Sequence, residues 1–483
     1  MSEIMAESNS SDIRVHYILS PLDAADLKAN GLLVGAEVGS HRIHKRRLNR
    51  SSDEEYCHLP LTLPESPMSP EAHDAFVMIP LSLISEETLV FVGLSAERAN
   101  ELWSEWTRMS PDYAVFREGE PDNGGLELTF IDFIVGRTEV KGCDTDNSDT
   151  QWRECMDACG VSLDTQDAIM DTHFTDLRLS QSCMSWVIDT IEMCYAGLED
   201  IQRASHAREI ELRRMASRPG QQQHGRDQQG HRSISGVQQQ GMPGIEKECW
   251  SNARGSVSGQ QQQGTLGLPT ATARYAAAEN APGYTVLYKG LDQARIKGLF
   301  DETGSLSDMG TLSSSSPSDF SPSRSLFYFS PDVHVAEYYA RYVKRRKECL
   351  SAVIISLRIP NATVEKLRES EIRRILWPED EWKELVWHCR NGKKRLPTHL
   401  RSYRDATLII GHIARKPDHL YNALERWQDI TEEFLLKLDG RKAIQYAISG
   451  DDNGIDWLEE NAQDVKVYPY TKAELDKWIA ESP

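Results

Sequence analysis

The sequence predicts an α+β protein of two mixed domains joined by a disordered linker rich in Gln and Gly. A chain of 483 residues exceeds the usual size of a single domain, so two folded units are expected. Hydrophobic residues make up 39% of the chain, which is sufficient for real cores. A long segment poor in large apolar residues separates two regions in which strand-like and helix-like patterns alternate.

The composition places the first domain at 13–215, the linker at 216–280 and the second domain at 281–480. Three Gln runs mark the linker, at 221–223, 238–240 and 260–263. Such a segment buries too little apolar surface to offset the conformational entropy lost on ordering. We therefore expect a flexible tether.

Charge and hydropathy limit the location and the partners. The formal net charge of −20 predicts no general nucleic-acid binding, because the field of the protein repels a polyanion. We expect no membrane span, since no apolar stretch approaches 18 residues, and no signal peptide, since residues 1–12 are polar. Nine cysteines, an odd number, do not resemble a disulfide framework. Cytoplasm or nucleus is the expected location.

One basic cluster occupies residues 41–50, with five Arg or Lys side chains in an acidic protein. It could serve as a nuclear-localisation signal or as a phosphate-binding patch. The interpretation we prefer is a solvated loop.

The first domain shows alternating strand and helix patterns. Strands are predicted at 13–19, 75–84, 89–94 and 125–134, and helices at 22–29, 95–109 and 182–215. In the last helix, Val187, Ile191, Cys194, Leu198 and Ile201 recur every three or four residues, which predicts a packed face. The pattern disappears beyond 203, where the helix is expected to enter solvent.

The second domain is predicted to be α+β. Strands are expected at 284–288, 326–330, 352–357, 405–411 and 442–449, and helices at 291–299, from 331 onwards and at 381–390. The first strand is expected to stop at Lys289 and Gly290. The tyrosines at 338, 339 and 342 share one helix face, for which packing is favoured over ligand stacking.

Six short blocks of this domain occur in a suggestive order. They are 287–290 (Leu-Tyr-Lys-Gly), Asp319 with Phe320, Phe327 with Tyr328, Trp382 with Arg390, Asp405 with 409–411, and Gln445. Their order over roughly 283–460 resembles a small ADP-ribosyltransferase-like family of uncharacterised proteins, best known from bacteria. The first half of the chain resembles no family.

The resemblance implies a cleft for the cofactor NAD. Lys289 would anchor the adenosine ribose, the Gly290 backbone would hold the nicotinamide amide, and Tyr328 would stack on the nicotinamide ring. Ser330, at the end of the same strand, is grouped with them. Two positions depart from the family pattern, since Lys289 replaces a His and Gln445 stands where the superfamily has a Glu.

The chemistry requires a carboxylate to stabilise an oxocarbenium-like transition state. Asp405, Glu384 and Gln445 are the catalytic candidates within the matched blocks, and no metal ligand is assigned. Two functions stay open. One is an NAD-dependent ADP-ribosyltransferase acting on a macromolecular target such as a protein, with a regulatory or targeting first half. The other is a catalytically degenerate transferase-like fold that serves as an intracellular protein-interaction module.

Overall fold

The computed structural model describes residues 17–35, 39–59, 75–109, 128–139, 148–217, 282–301, 303–314, 316–392 and 395–482. The described part of the first half is mainly helical. Its helices are α1 (Pro21–Ala29), α2 (Ser52–Glu55), α3 (Glu86–Phe91), α4 (Ala96–Met109), α5 (Phe130–Thr138), α6 (Asp149–Ala158), α7 (Leu163–Ile169), α8 (Thr175–Arg178) and α9 (Cys183–Ser217). Strands β1 (Leu33–Val34), β2 (Ser40–His44) and β3 (Phe76–Pro80) form a small antiparallel sheet.

Two segments predicted as strands in this half are helical, and both errors have a local cause. Residues 89–94 lie in and after α3, where the side chain of Ser85 accepts a hydrogen bond from Thr88 N and caps the helix. Residues 125–127 lie outside the described residues, and α5 begins at Phe130 behind a capping box formed by Thr129 and Asp132. A short apolar run fits either element, so the caps decided the outcome.

The basic cluster at 41–50 is held in place by strand pairing and by ion pairs, so the preferred interpretation as a solvated loop is wrong. Its first residues form β2, paired along its length with β3. Arg46 Nε then donates to Asp53 Oδ1 at 2.8 Å, and Arg47 lies 3.7 Å from the same carboxylate. A role in nuclear localisation stays a prediction. Of the predicted strand at 13–19, residues 13–16 lie outside the described residues, and Tyr17 forms an isolated bridge with Ser82.

Helix α9 confirms the predicted packed face, since Val187, Ile191 and Leu198 are buried. The contact continues past 203 for one further turn. Ser205 is fully buried, and Arg208 donates to both oxygens of Asp23 at 2.8 Å. Only the last turns, which include exposed Ile210, face solvent.

The second half contains two larger sheets. Its strands are β4 (Tyr284–Asp292), β5 (Leu326–Phe329), β6 (Ala352–Pro360), β7 (Ile372–Ile375), β8 (Leu408–His412), β9 (Lys437–Leu438), β10 (Arg441–Lys442), β11 (Ile444–Ser449) and β12 (Gln463–Tyr470). Its helices are α10 (Val333–Arg346), α11 (Asn361–Lys366), α12 (Asp380–Arg390), α13 (Arg401–Arg404), α14 (Asp418–Ala423), α15 (Asp452–Asn461) and α16 (Lys472–Glu481). One sheet has the order β12-β6-β4, and the other has the order β5-β11-β8-β7 with only β7 and β8 parallel.

Strand β4 is longer than the sequence predicted. It continues through Lys289 and Gly290 to Asp292, because β6 pairs with it along the whole of 284–292. The helix predicted at 291–299 is reduced to one 3-10 turn, Gln293–Ile296.

The three larger of four apolar clusters among the described residues fill the spaces between these layers. Between the two large sheets, Leu287 and Ile355 meet Phe327 and Phe329. On the outer face of the four-stranded sheet lies a second cluster around Trp382 of α12. The third cluster covers the opposite face of the β12-β6-β4 sheet and contains residues of both halves of the chain.

The two halves are therefore joined by side chains. Tyr338 of α10 stacks on Phe174 of the first half at a centroid distance of 5.6 Å. The Tyr342 hydroxyl donates to the carbonyl of Ile169 at 3.0 Å, and Arg346 pairs with Asp189 at 2.6 Å. The tyrosine face of α10 thus serves packing, as favoured from the sequence, and the surface that it packs against is the first half.

The mixed α+β character of the chain is confirmed. The linker predicted at 216–280 begins inside α9, and residues 218–281 lie outside the described residues. Among the described helices, none is long and apolar enough to cross a membrane.

Candidate functional site

The predicted cofactor-binding residues lie where β4 and β5 separate. Tyr288 and Ser330 exchange two backbone hydrogen bonds of 2.7 and 2.8 Å. At the start of β5, Leu326 exchanges two with Ser314, of 2.8 and 3.2 Å. Within the described residues, this edge of β5 has no paired strand between these two bridges. We call the space bounded by these four residues the strand gap.

Main-chain groups of Gly290 and Tyr328 line the strand gap. The hydrogen-bonding groups of an antiparallel strand alternate between its two edges. Because Tyr288 bonds to Ser330, Gly290 directs its N–H and C=O towards the same edge, away from β6. Tyr328 lies midway between Leu326 and Ser330 and faces this edge for the same reason. The half-buried Gly290 amide is therefore placed as a donor for a ligand in the gap.

The Lys289 side chain enters the strand gap. Its Nζ donates to Ser314 Oγ at 3.1 Å and to the Tyr328 carbonyl at 3.4 Å, and it lies 5.9 Å from the Phe329 ring centroid. Among the described residues, no carboxylate pairs with it. Burial, with a smaller contribution from Arg295, lowers the pKa of the Lys289 ammonium to about 8. The Lys289 amine thus donates a hydrogen bond to the unpaired edge of β5, where a neighbouring strand would otherwise donate one.

Gly290 is also required by the packing of α10. A Cβ atom at this position would lie 1.9 Å from the backbone carbonyl oxygen of Ala336 and 2.9 Å from Ala340 N. The absence of a side chain therefore lets the helix approach β4 closely.

Tyr328 and Ser330 are held by internal hydrogen bonds. The Tyr328 hydroxyl donates to Ser318 Oγ at 2.8 Å and accepts from Phe320 N at 3.3 Å, and burial raises the pKa of this hydroxyl. The Ser330 hydroxyl donates to the carbonyl of Ile444 at 2.9 Å. Both side chains stabilise the fold around β5.

Gln445 lies in a buried polar network. Its Nε2 donates to Asp319 Oδ2 at 2.7 Å. The same oxygen accepts from Ala414 N at 2.8 Å, and Oδ1 accepts from Arg390 Nε at 2.9 Å. Arg390 also donates to Asp418 at 3.0 Å. We call these residues, namely Asp319, Arg390, Ala414, Asp418 and Gln445, the Asp319 network.

The two buried charges of the Asp319 network, those of Asp319 and Arg390, are paired with each other. Asp319, Arg390 and Gln445 are buried, with at most 5% of each exposed. Burial alone would lower the pKa of Arg390, but the neighbouring Asp319 and Asp418 raise it above the usual value. A buried ion pair that is fully hydrogen-bonded holds elements together more readily than it binds a ligand.

The other two catalytic candidates lie elsewhere. Asp405 is exposed and accepts a 2.9 Å hydrogen bond from its neighbour Arg404. Asp405 lies just before the end of β8 that pairs with Ile448. Gln445 pairs with the opposite end of β8. Glu384 of α12 bonds to His399 at 2.9 Å. The structure does not bring these three candidates together.

The partnership between Asp319 and Arg390 was not predicted from the sequence. Both residues lie in the matched blocks, but neither received a role. The available signal was an Asp and an Arg in otherwise apolar or Ser-rich surroundings, where a charge survives burial only when it is paired. Among the described residues, no cluster of His, Cys, Asp or Glu suitable for a metal ion occurs.

Comparison with known proteins adds no assignment, since no protein-family model, curated protein or solved structure matches the chain.

Proposed function

We propose that the second half is a transferase-like fold that acts as an intracellular protein-interaction module, in cytoplasm or nucleus, and transfers no ADP-ribose. The observation that carries this proposal is the state of Gln445, which stands where a transferase of the resembled superfamily has its Glu. Its amide is buried and donates to Asp319. A neutral amide so engaged cannot stabilise the positive charge that develops on the ribose during transfer.

The alternative carboxylates give little support for catalysis. Asp405 is exposed on the surface beside Arg404, and Glu384 is bound to His399. Asp319 is close to Gln445, but its oxygens accept from Arg390 and from backbone. Releasing that carboxylate for chemistry would leave the buried Arg390 with only the partly exposed Asp418 as its partner, which is costly.

One observation favours the second candidate, an NAD-dependent ADP-ribosyltransferase. The Gly290 amide faces the strand gap, as the resemblance requires for binding the nicotinamide amide. An interaction module that retained the Gly290 amide at the edge of the strand gap could bind NAD without reacting with it. Binding and transfer must therefore be measured separately.

The test uses the full chain, because the second half shares a core with the first. Calorimetry with NAD at millimolar concentration measures binding, and biotin-labelled NAD with a cell lysate measures transfer. We expect no labelled protein and no release of nicotinamide. Tyr328→Ala and Gln445→Ala serve as matched variants.

Labelling that is present in the native chain and lost in Gln445→Ala would overturn the proposal and establish the transferase. A stoichiometric protein partner that is retained equally by the native chain and by Gln445→Ala would support the module.

A further inference from the structure

One carboxylate of the first half lies between two elements of the second half. Asp189 of α9 pairs through Oδ1 with Arg295, and through Oδ2 with Arg346 Nη1 at 2.6 Å. Arg295 belongs to the 3-10 turn that follows β4, and Arg346 is the last residue of α10. We call the three side chains, those of Asp189, Arg295 and Arg346, the Asp189 clamp.

Further contacts fix the side chains of the Asp189 clamp. Arg295 Nε donates to the carboxylate of Asp292 at 2.8 Å, and Asp292 is the buried last residue of β4. Arg346 is buried and also donates to Thr190 Oγ1 at 3.0 Å. Burial alone would raise the pKa of the Asp189 carboxyl, but the two arginines lower it below its usual value. The carboxylate therefore stays ionised in neutral solution and holds both guanidinium groups.

Both elements that the clamp joins border the strand gap. Gly290, whose amide faces the gap, lies two residues before the end of β4. Ala336 and Ala340 of α10 lie directly against Gly290. Helix α10 follows β5 after only three residues. Because α10 continues from β5 and packs on β4, the angle between α10 and β4 sets how far the two strands separate.

The clamp lies at the far ends of these two elements. Helix α10 spans about 20 Å from its first residue to Arg346. Strand β4 continues for about 13 Å beyond Tyr288, where its bridge to Ser330 closes the gap. An ion pair at the far ends restrains the angle between two elements more strongly than a contact near the bridge would.

Other contacts of the first half reach the turn after β4. Ser51 Oγ donates to Gln293 Oε1 at 2.7 Å, and Gln293 Nε2 donates to Asp200 at 3.4 Å. These contacts hold the turn but do not reach α10. Among the residues that the structure describes, Asp189 is the carboxylate that forms ion pairs with both the turn and α10.

We propose that Asp189 is a positioning residue through which the first half sets the width of the strand gap. Loss of either ion pair frees the far end of β4 or of α10, and the two backbone hydrogen bonds between Tyr288 and Ser330 then open more often. The first half thus acts on the gap without contributing a group to it. This role does not depend on what the gap binds.

The test is hydrogen–deuterium exchange of the full chain, read by mass spectrometry on peptides that cover 284–292 and 326–332. Asp189→Asn keeps the shape of the side chain and removes its charge. The amides of Tyr288 and Ser330 should then exchange about tenfold faster or more, because the frequency of local opening sets their exchange rates. Peptides that cover β8 should exchange at the native rate, since the clamp does not touch that strand.

The matched control is Asp476→Asn, which removes an exposed carboxylate paired with Lys472 and should exchange like the native chain. A second variant, Arg295→Gln, breaks only the link to β4 and keeps the pair between Asp189 and Arg346. It should accelerate the exchange of Tyr288 and Ser330 about threefold, and it decides the question if Asp189→Asn does not fold.

Thermal melting of each variant checks that the fold persists. Faster exchange that stays within 293–296 and 343–347 in the folded variants would overturn the proposal, because the clamp would then be a local contact only. Equally faster exchange in β8, or the same change in Asp476→Asn, would also overturn it, since either result would show a general loss of stability.

Discussion

The Asp319 network and the strand gap are two polar regions of the same half, and they differ in how completely their groups are paired. In the network, both Asp319 oxygens accept hydrogen bonds from buried donors. In the strand gap, Lys289 reaches one hydroxyl and one carbonyl, and the Gly290 amide faces an unpaired edge. A satisfied polar cluster fixes structure, whereas an incompletely paired one can respond to pH or to a ligand.

The largest expected effect tests the structural side of this comparison. Arg390→Ala would leave the buried Asp319 and the partly exposed Asp418 without their cation, and should lower the free energy of unfolding by about 3–5 kcal/mol. Urea unfolding measures the loss. Arg404→Ala removes an exposed ion pair and should change stability by less than about 0.5 kcal/mol. Equal losses in the two variants would show that the network is not a structural centre.

A second substitution tests the backbone beside the strand gap. Gly290→Ala places a Cβ against the Ala336 carbonyl and should destabilise the chain by about 2–3 kcal/mol, because neither backbone can move freely. Gly136→Ala, which meets open space in a helix, should stabilise by about 0.5–1 kcal/mol. Thermal unfolding compares the two. A stable Gly290→Ala would mean that α10 can withdraw from β4.

Gln445→Glu would place a second carboxylate beside Asp319 and test whether the network tolerates the residue found in transferases. Repulsion and burial should raise the folded pKa of the new carboxyl above the unfolded value of about 4.3. The folded variant then binds more protons, so its stability relative to the native chain falls as pH rises from about 4 to 7, by about 1–3 kcal/mol. Unfolding at several pH values measures this, with exposed Gln463→Glu as control. A pH-independent difference would contradict the expected proximity.

The smallest effect concerns Lys289. Because the pKa of its ammonium is lowered to about 8, the folded state binds fewer protons than the unfolded state between pH 8 and the unfolded value of about 10.4. Native stability should therefore gain with pH in that window. Lys289→Met lacks this gain and should be more stable than the native chain by about 1 kcal/mol at pH 7, with the advantage gone near pH 10. Exposed Lys477→Met is the control, and a constant difference across the window would contradict the lowered pKa.

Local patterns predicted the second half better than the first. The aromatic run at 326–330 and the helical pattern at 381–390 appear as β5 and α12. In the first half, the side chains of Ser85 and Thr129 cap two apolar runs that form helices. A prediction based on the periodicity of apolar residues does not take such capping side chains into account.

The candidate site was predictable only as separate blocks. Lys289 reaches the Tyr328 carbonyl, whereas the Tyr328 hydroxyl is bonded to Ser318 and Phe320, and the cofactor roles of these residues stay a prediction. The bond between Asp319 and Gln445 spans 126 residues, and nothing local specifies it. Whether a buried polar group is already satisfied depends on such long-range partners, so a sequence alone could not separate a binding site from a structural network.

The shared core between α10 and the first half has a mechanical consequence. Tyr338, Tyr342 and Arg346 hold the two halves through contacts on Phe174, Ile169 and Asp189. These contacts should hold the two halves together even when the chain between α9 and β4 is cut. If a protease cleaves the chain within 218–281, the two fragments should therefore co-migrate until they are denatured. A fragment that begins at 281, by contrast, would uncover these aromatic rings to water.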